Sequence, residues 1–151
     1  MPPFARQSPV PLDACNLAKT IDLIGDRWSL LIIRAALYGV RRFEDFHAEL
    51  GAPRTVLSGR LKKLTDAGVL KKTPYQKPGS RTRYEYVLTK SGAALQPALI
   101  ALTQWGDACF GEGPPPISFS RGKRGGRVRA AFVDETGREV SPGQLKITLR
   151  K

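Results

Sequence analysis

The chain is poor in the residues that do covalent and metal chemistry. Its 151 residues include two cysteines, one histidine and one methionine. Cys15 and Cys109 stand 94 positions apart, too few and too distant for a disulfide framework or a CxxC metal site. The single histidine, His47, has no matched Ser or Cys and Asp set around it, and no phosphate-cradling Gly-rich loop or apolar carboxylate pair accompanies it. Nothing therefore points to an enzyme, a metal or a cofactor. No run approaches the roughly 18 consecutive apolar residues of a membrane span. The N-terminus MPPFARQSPVPLDAC has neither an apolar core segment nor a small-residue cleavage site, so the cytoplasm is the expected location, with no membrane partner.

Acidic residues are scarce as well, 13 against 25 lysines and arginines, which leaves a net charge of +12. The excess is not spread evenly. Residues 1–51 are neutral overall, whereas 52–90 hold ten basic groups against only Asp66 and Glu85, and 117–151 hold nine against three acids. Clustering of this kind suggests a polyanionic partner. A hydrophobic content of 41% is enough for a real core and excludes a disordered tail protein.

Along the chain, a Pro-rich arm (1–14) precedes helical periodicity. Leu17, Ile21 and Ile24 share one face of a first short helix ended by Gly25. Asp26 is the expected N-cap of a second, largely apolar helix that runs from Trp28 to Tyr38. After the basic corner Arg41-Arg42, the residues Phe43, Phe46, His47 and Leu50 predict a third helix, stopped by Gly51. Pro53 then opens a fourth, with Leu57, Leu61 and Leu64 as its buried stripe. Two strands follow, Val69 to Tyr75 and Arg83 to Leu88, joined by a Pro-Gly turn flanked by cations. From an N-cap at Thr89 a long helix is expected to about Cys109, with Pro97 kinking or breaking it. The segment GEGPPP (111–116) reads as a linker, with its Pro-rich part at 113–116 as the domain border. A basic, β-rich extension (117–151) should contain short strands at Ile117–Phe119, Arg127–Val133 and Leu145–Leu149.

This order, three short helices, a helix with an exposed small, polar and basic face, then a hairpin with a cationic tip, is that of a winged helix-turn-helix. The expected class is α+β, mainly α, with a domain at 15–112 that includes a long dimerisation helix, and a small C-terminal β-ribbon. A helix can enter the major groove with its N-terminal side chains against base edges, while a basic hairpin lies over neighbouring phosphates. The candidate groove contacts are Arg54, Thr55, Ser58 and Lys62. Arg60, at the edge of the Leu stripe, either joins them at a phosphate or anchors the helix internally. Lys77, Arg81 and Arg83 are the wing candidates.

The residues also resemble a known family, the HxlR-type bacterial regulators. The likeness rests on Cys15, on Asp22-Leu23-Ile24-Gly25-Asp26-Arg27-Trp28 leading into Leu30-Leu31-Ile32-Ile33-Arg34, and on Arg42-Phe43. It continues through Leu57-Ser58-Gly59-Arg60-Leu61-Lys62-Lys63-Leu64, Ala67-Gly68-Val69-Leu70, Tyr84-Glu85-Tyr86-Val87-Leu88-Thr89 with Gly92, and Trp105-Gly106. Ala52-Pro53 departs from that pattern, in which a larger aliphatic residue and then Ala or Ser are usual. The resemblance covers about residues 15–110 and implies a cytoplasmic, nucleoid-associated homodimer that binds double-stranded DNA at an inverted-repeat operator, as a repressor. It also implies an interface built from the first and last helices, here Leu17, Ile21, Leu95, Leu99, Leu102 and Trp105.

Some members of the family sense oxidants or electrophiles through a cysteine at the place of Cys15, others respond to small molecules. Cys15 is therefore read either as a sensor, with Cys109 of the partner as its candidate mate, or as a small buried hydrophobe at a helix start. The extension either packs on the long helix or adds phosphate contacts through Arg121, Lys123, Arg124, Arg127 and Arg129. The competing function is a non-regulatory architectural or protein-interaction module on the same fold.

Overall fold

The computed structural model describes residues 9–148. Most of the expected arm, and Leu149 at the end of the last expected strand, lie outside them. The chain divides into two compact units, one ending at Ala94 and the other beginning at Leu95. The expected border at the 113–116 linker is thus not where the units part.

In the first unit, a 3-10 turn (Leu12–Ala14) leads to α1 (Asn16–Ile24), α2 (Arg27–Leu37), α3 (Phe43–Leu50) and α4 (Arg54–Asp66). The hairpin of β1 (Leu70–Tyr75) and β2 (Arg83–Leu88) follows, then the single turn α5 (Lys90–Ala93). Asp26 caps α2 as expected, accepting from the Ser29 backbone N–H at 3.1 Å. Gly51 stops α3 in the left-handed region (φ 63°), where a side chain would be strained. The helices bury Ile24, Ile32, Ile33, Phe46, Leu57, Leu61 and Leu64, and Val69 and Leu70 close the core from the start of the hairpin. Full burial of each large aliphatic side chain contributes about 1.5–3 kcal/mol, so the Leu stripe of α4 is what fixes which face of that helix is left to solvent.

The strands pair antiparallel from Leu70 opposite Leu88 to Tyr75 opposite Arg83. The corner before α3 joins this sheet, since Arg42 bridges to Glu85 and the Tyr86 N–H donates to the Arg41 carbonyl at 2.7 Å. Thr89 caps α5 by accepting from the Gly92 N–H at 3.1 Å. Gly92 is needed there, because a Cβ would lie 2.2 Å from the Val69 carbonyl oxygen.

The second unit starts with α6 (Gln96–Phe110), so the long helix expected from Thr89 is two helices. Proline has no N–H to give to an intrahelical bond and its ring crowds the preceding turn. The chain therefore restarts with Pro97 in the first turn of α6, where no such bond is forfeited. The extension is less regular than expected. Its only strands among the described residues are β3 (Phe132–Val133) and β4 (Glu139–Val140), paired antiparallel across the Asp134–Gly137 turn. Ser120 and Arg127 form an isolated bridge, whereas Ile117–Phe119 and 145–148 form no strand. Their apolar residues have too few paired neighbours to hold a ladder. The extension does pack on α6, where the Gln104 side-chain oxygen accepts from the Ala130 N–H at 2.9 Å.

Candidate nucleic-acid interface

Burial of Leu57, Leu61 and Leu64 leaves Arg54, Thr55, Ser58, Gly59 and Lys62 exposed on α4. The turn that aims this helix is pinned from α3, where His47 Nδ1 meets the Ala52 carbonyl at 2.9 Å. Ala52 is wholly buried, so a small residue fits the place where the sequence departs from its family pattern. Pro53 is the extended residue ahead of the helix rather than part of it (φ −54°, ψ 138°).

Every cation of α4 has an oxygen partner. Arg54 donates from Nη1 and Nη2 to the two carboxylate oxygens of Glu44 at 2.8 and 2.7 Å, with its guanidinium 5.6 Å from the Phe43 ring centre. Those hydrogen bonds hold Glu44 below its ordinary pKa and raise that of Arg54. Lys62 pairs with Asp66, one turn on, and Lys63 donates to the Asp22 carbonyl at 2.7 Å.

Arg60 makes the internal tie that one of its two readings expects. Its Nε donates to Asp26 at 2.9 Å, tying α4 to the start of α2, while its side chain stays 38% exposed. Asp26 also accepts from the wholly buried Ser29 hydroxyl at 2.6 Å. Burial would raise the pKa of Asp26, but the hydrogen bonds from the Ser29 side chain and backbone, then from Arg60, outweigh it and hold it below the ordinary value.

The hairpin is different. Its tip is shaped by Gly79 (φ 73°), by the Ser80 N–H and hydroxyl donating to the Lys77 carbonyl, and by the Gln76 amide donating to the Ser80 carbonyl at 2.8 Å. Lys77, Arg81 and Arg83 are exposed, and none forms an ion pair among the described residues. Between the start of α3 and the hairpin lies an open cleft of about 600 Å³, walled by Phe43, Glu44, Lys72, Arg83, Tyr84 and Tyr86. Lys72 lies 4.4 Å from the Tyr84 ring centre, and Arg42 lies 4.6 Å from that of Tyr75 while donating to Glu85 at 3.3 Å. The sequence reading did not single out Arg42, Glu44, Lys72 or Tyr84 as candidate contacts, although all four line this cleft. The alternation of Tyr84 and Tyr86 along β2 was the available signal, since Tyr86 stands opposite Lys72.

Residues 23–114 match the HxlR-like helix-turn-helix family. The chain belongs to that family. An HTH-type transcriptional regulator of Mycobacterium tuberculosis, Rv3095, itself uncharacterised, is 42% identical over 102 residues, which are 66% of this chain and 63% of that protein. The present chain therefore spans less than two thirds of the length of that relative. The crystal structure of PA1607, a putative transcription factor, is 32% identical and superposes with a TM-score of 0.77, covering 89% of this chain and 94% of its own. The diamide-treated form of YodB from Bacillus subtilis is 27% identical with a TM-score of 0.52, over 63% of this chain and 94% of its own. The HxlR-like relatives are named as transcriptional regulators, not as enzymes.

Against that family's features, the remaining candidates fall as follows. Cys15 is half-buried at the N-cap of α1 without a side-chain hydrogen bond to the helix, and Cys109 is exposed near the end of α6. Leu17 and Ile21 of α1 are 66% and 56% exposed, and Leu102 and Trp105 of α6 are 56% and 61% exposed. Leu95 and Leu99 are half-buried. Among the described residues no group of acidic, histidine and cysteine side chains could hold a metal ion, and no helix is long and apolar enough to cross a membrane.

Proposed function

We propose that the chain is a sequence-specific DNA-binding repressor that acts as a homodimer on an inverted-repeat operator, in the cytoplasm and at the nucleoid. The observation that carries this reading is the division of the basic surface. The start of α4 presents Arg54, Thr55 and Ser58 on a narrow, groove-sized helix face, and the hairpin tip beside it presents long cations without ion-pair partners. Arg54 reads a guanine edge, Thr55, Ser58 and Lys62 contact bases or phosphates, and Lys77, Arg81 and Arg83 bind phosphates. The extended apolar faces of α1 and α6 support a dimer, since helices apolar over so wide a surface are ordinarily covered. A second copy covers them, as two-fold pairing is the commonest oligomer.

Release from DNA is assigned to thiol oxidation, electrophiles or a small molecule, supported by Cys15 at a helix start and by the likeness to YodB, whose diamide-treated form has been solved. Selecting duplexes from a random pool with the full chain, then titrating the winner with reductant or diamide present, tests the whole reading. An inverted repeat bound by a species of dimeric mass, and released by diamide in the wild type but not in Cys15→Ser, is the expected result. Equal affinity for every duplex favours the architectural alternative instead.

A further inference from the structure

The exposed pair of Glu44 and Arg54 does nothing evident for the fold. Both side chains are more than half exposed, and exposed ion pairs add little to stability. Yet the pair places a carboxylate on the face meant for a polyanion, at the residue best suited to read a base. Through space Glu44 also feels Arg83 of the hairpin. A negative charge there disfavours unselective phosphate contact.

Its geometry is informative. A guanidinium carries five N–H donors in a fixed plane. Glu44 takes one from Nη1 and one from Nη2, the end-on edge, and Phe43 lies against the same group. The side-on edge, Nε–H with the neighbouring Nη–H, makes no hydrogen bond among the described residues. That second fork has the spacing that matches guanine O6 and N7. A long, flexible arginine held in this way loses less conformational freedom on binding a base than one that must be ordered at the moment of contact.

We infer that Glu44 is a specificity-determining residue: its carboxylate clamps the end-on edge of Arg54, aims the side-on edge at a guanine, and turns the guanidinium away from unselective phosphate contact. This rests on the reading of Arg54 as a base contact. Glu44 acts through Arg54 and is a positioning residue.

The test uses the full chain with the duplex selected from a random pool by the wild type, and a scrambled duplex of the same length. Glu44→Gln should tighten the scrambled duplex and weaken the selected one, so that their ratio falls about tenfold, a share of what one bidentate base contact discriminates. Glu44→Asp, which keeps the charge but falls one methylene short, should lose the ratio as well. In an Arg54→Ala background, Glu44→Gln should change both affinities by one common factor. Thermal melts of all variants should coincide within a few degrees, which separates positioning from misfolding.

Three results overturn the inference while leaving Arg54 as a reader. These are an unchanged ratio in Glu44→Gln, full retention of the ratio in Glu44→Asp, and an effect of Glu44 on the ratio that persists without Arg54. If Arg54→Ala leaves base preference intact at every position, the reading itself fails and the inference with it.

Discussion

The two basic surfaces of the first unit are built on opposite electrostatic plans. On α4 all four cations are engaged, Arg54 by Glu44, Arg60 by Asp26, Lys62 by Asp66 and Lys63 by the Asp22 carbonyl. At the hairpin tip Lys77, Arg81 and Arg83 stand without an ion pair among the described residues. A cation that already has an acceptor gains from DNA only if the new acceptor suits its geometry. A cation surrounded by water gains from any phosphate through counterion release. Under the proposed function, this difference puts discrimination on the helix and bulk affinity on the wing.

The contrast should be sharpest in stability, at the anchor of α4. Asp26→Ala removes an N-cap worth about 1 kcal/mol and strips the buried Ser29 hydroxyl of its acceptor, and the summed loss should be about 2–4 kcal/mol by urea unfolding. The same residue sets an acid limb. Its folded pKa lies below the ordinary value of 3.8, so its contribution is complete above that value and is lost as pH falls through the lower folded value. Asp26→Asn should flatten that part of a stability profile without affecting the region near neutrality. Arg60→Ala should follow with a smaller cost of about 1–2 kcal/mol, since its pair is only partly buried. Arg81→Ala should change unfolding by no more than about 0.5 kcal/mol. Lys62→Ala, which breaks only an exposed pair one turn apart, should also stay small, about 0.3–0.5 kcal/mol. An Arg81 variant that unfolds as readily as an Arg60 variant would break the comparison.

The two units differ in a second way. All of the buried apolar side chains, from Ile24 to Leu70, belong to the first, and none of residues 95–148 is buried. This also explains which parts were legible in the sequence. Asp26, the Leu57-Leu61-Leu64 stripe and the hairpin limits were readable because caps, helical spacing and turn residues are local signals. Pro97 left the long helix ambiguous, since the Leu spacing continues across it and only the missing backbone bond decides. The extension was read as more regular than it is, because alternation predicts a strand only where a neighbouring strand is available to pair. Glu44 was invisible for another reason. Its partner is ten positions away on a different helix, and no periodicity records a pairing across a turn. Arg60 was half legible, since its edge position on the stripe allowed the anchor role but only the fold brought Asp26 to it.

The central claim, that the helix discriminates and the wing holds, is tested most directly by titrating Arg54→Ala and Arg81→Ala against a selected duplex and a scrambled one across salt concentrations. Arg54→Ala should cost about 1–3 kcal/mol per half-site on the selected duplex, relax preference at one base pair, and spare the scrambled duplex. Arg81→Ala should weaken both duplexes by a similar factor and lower the salt slope by roughly 0.9 for each phosphate that is no longer neutralised. The account is contradicted if Arg54→Ala weakens both duplexes equally while Arg81→Ala damages the selected one alone, for then the wing is the reader.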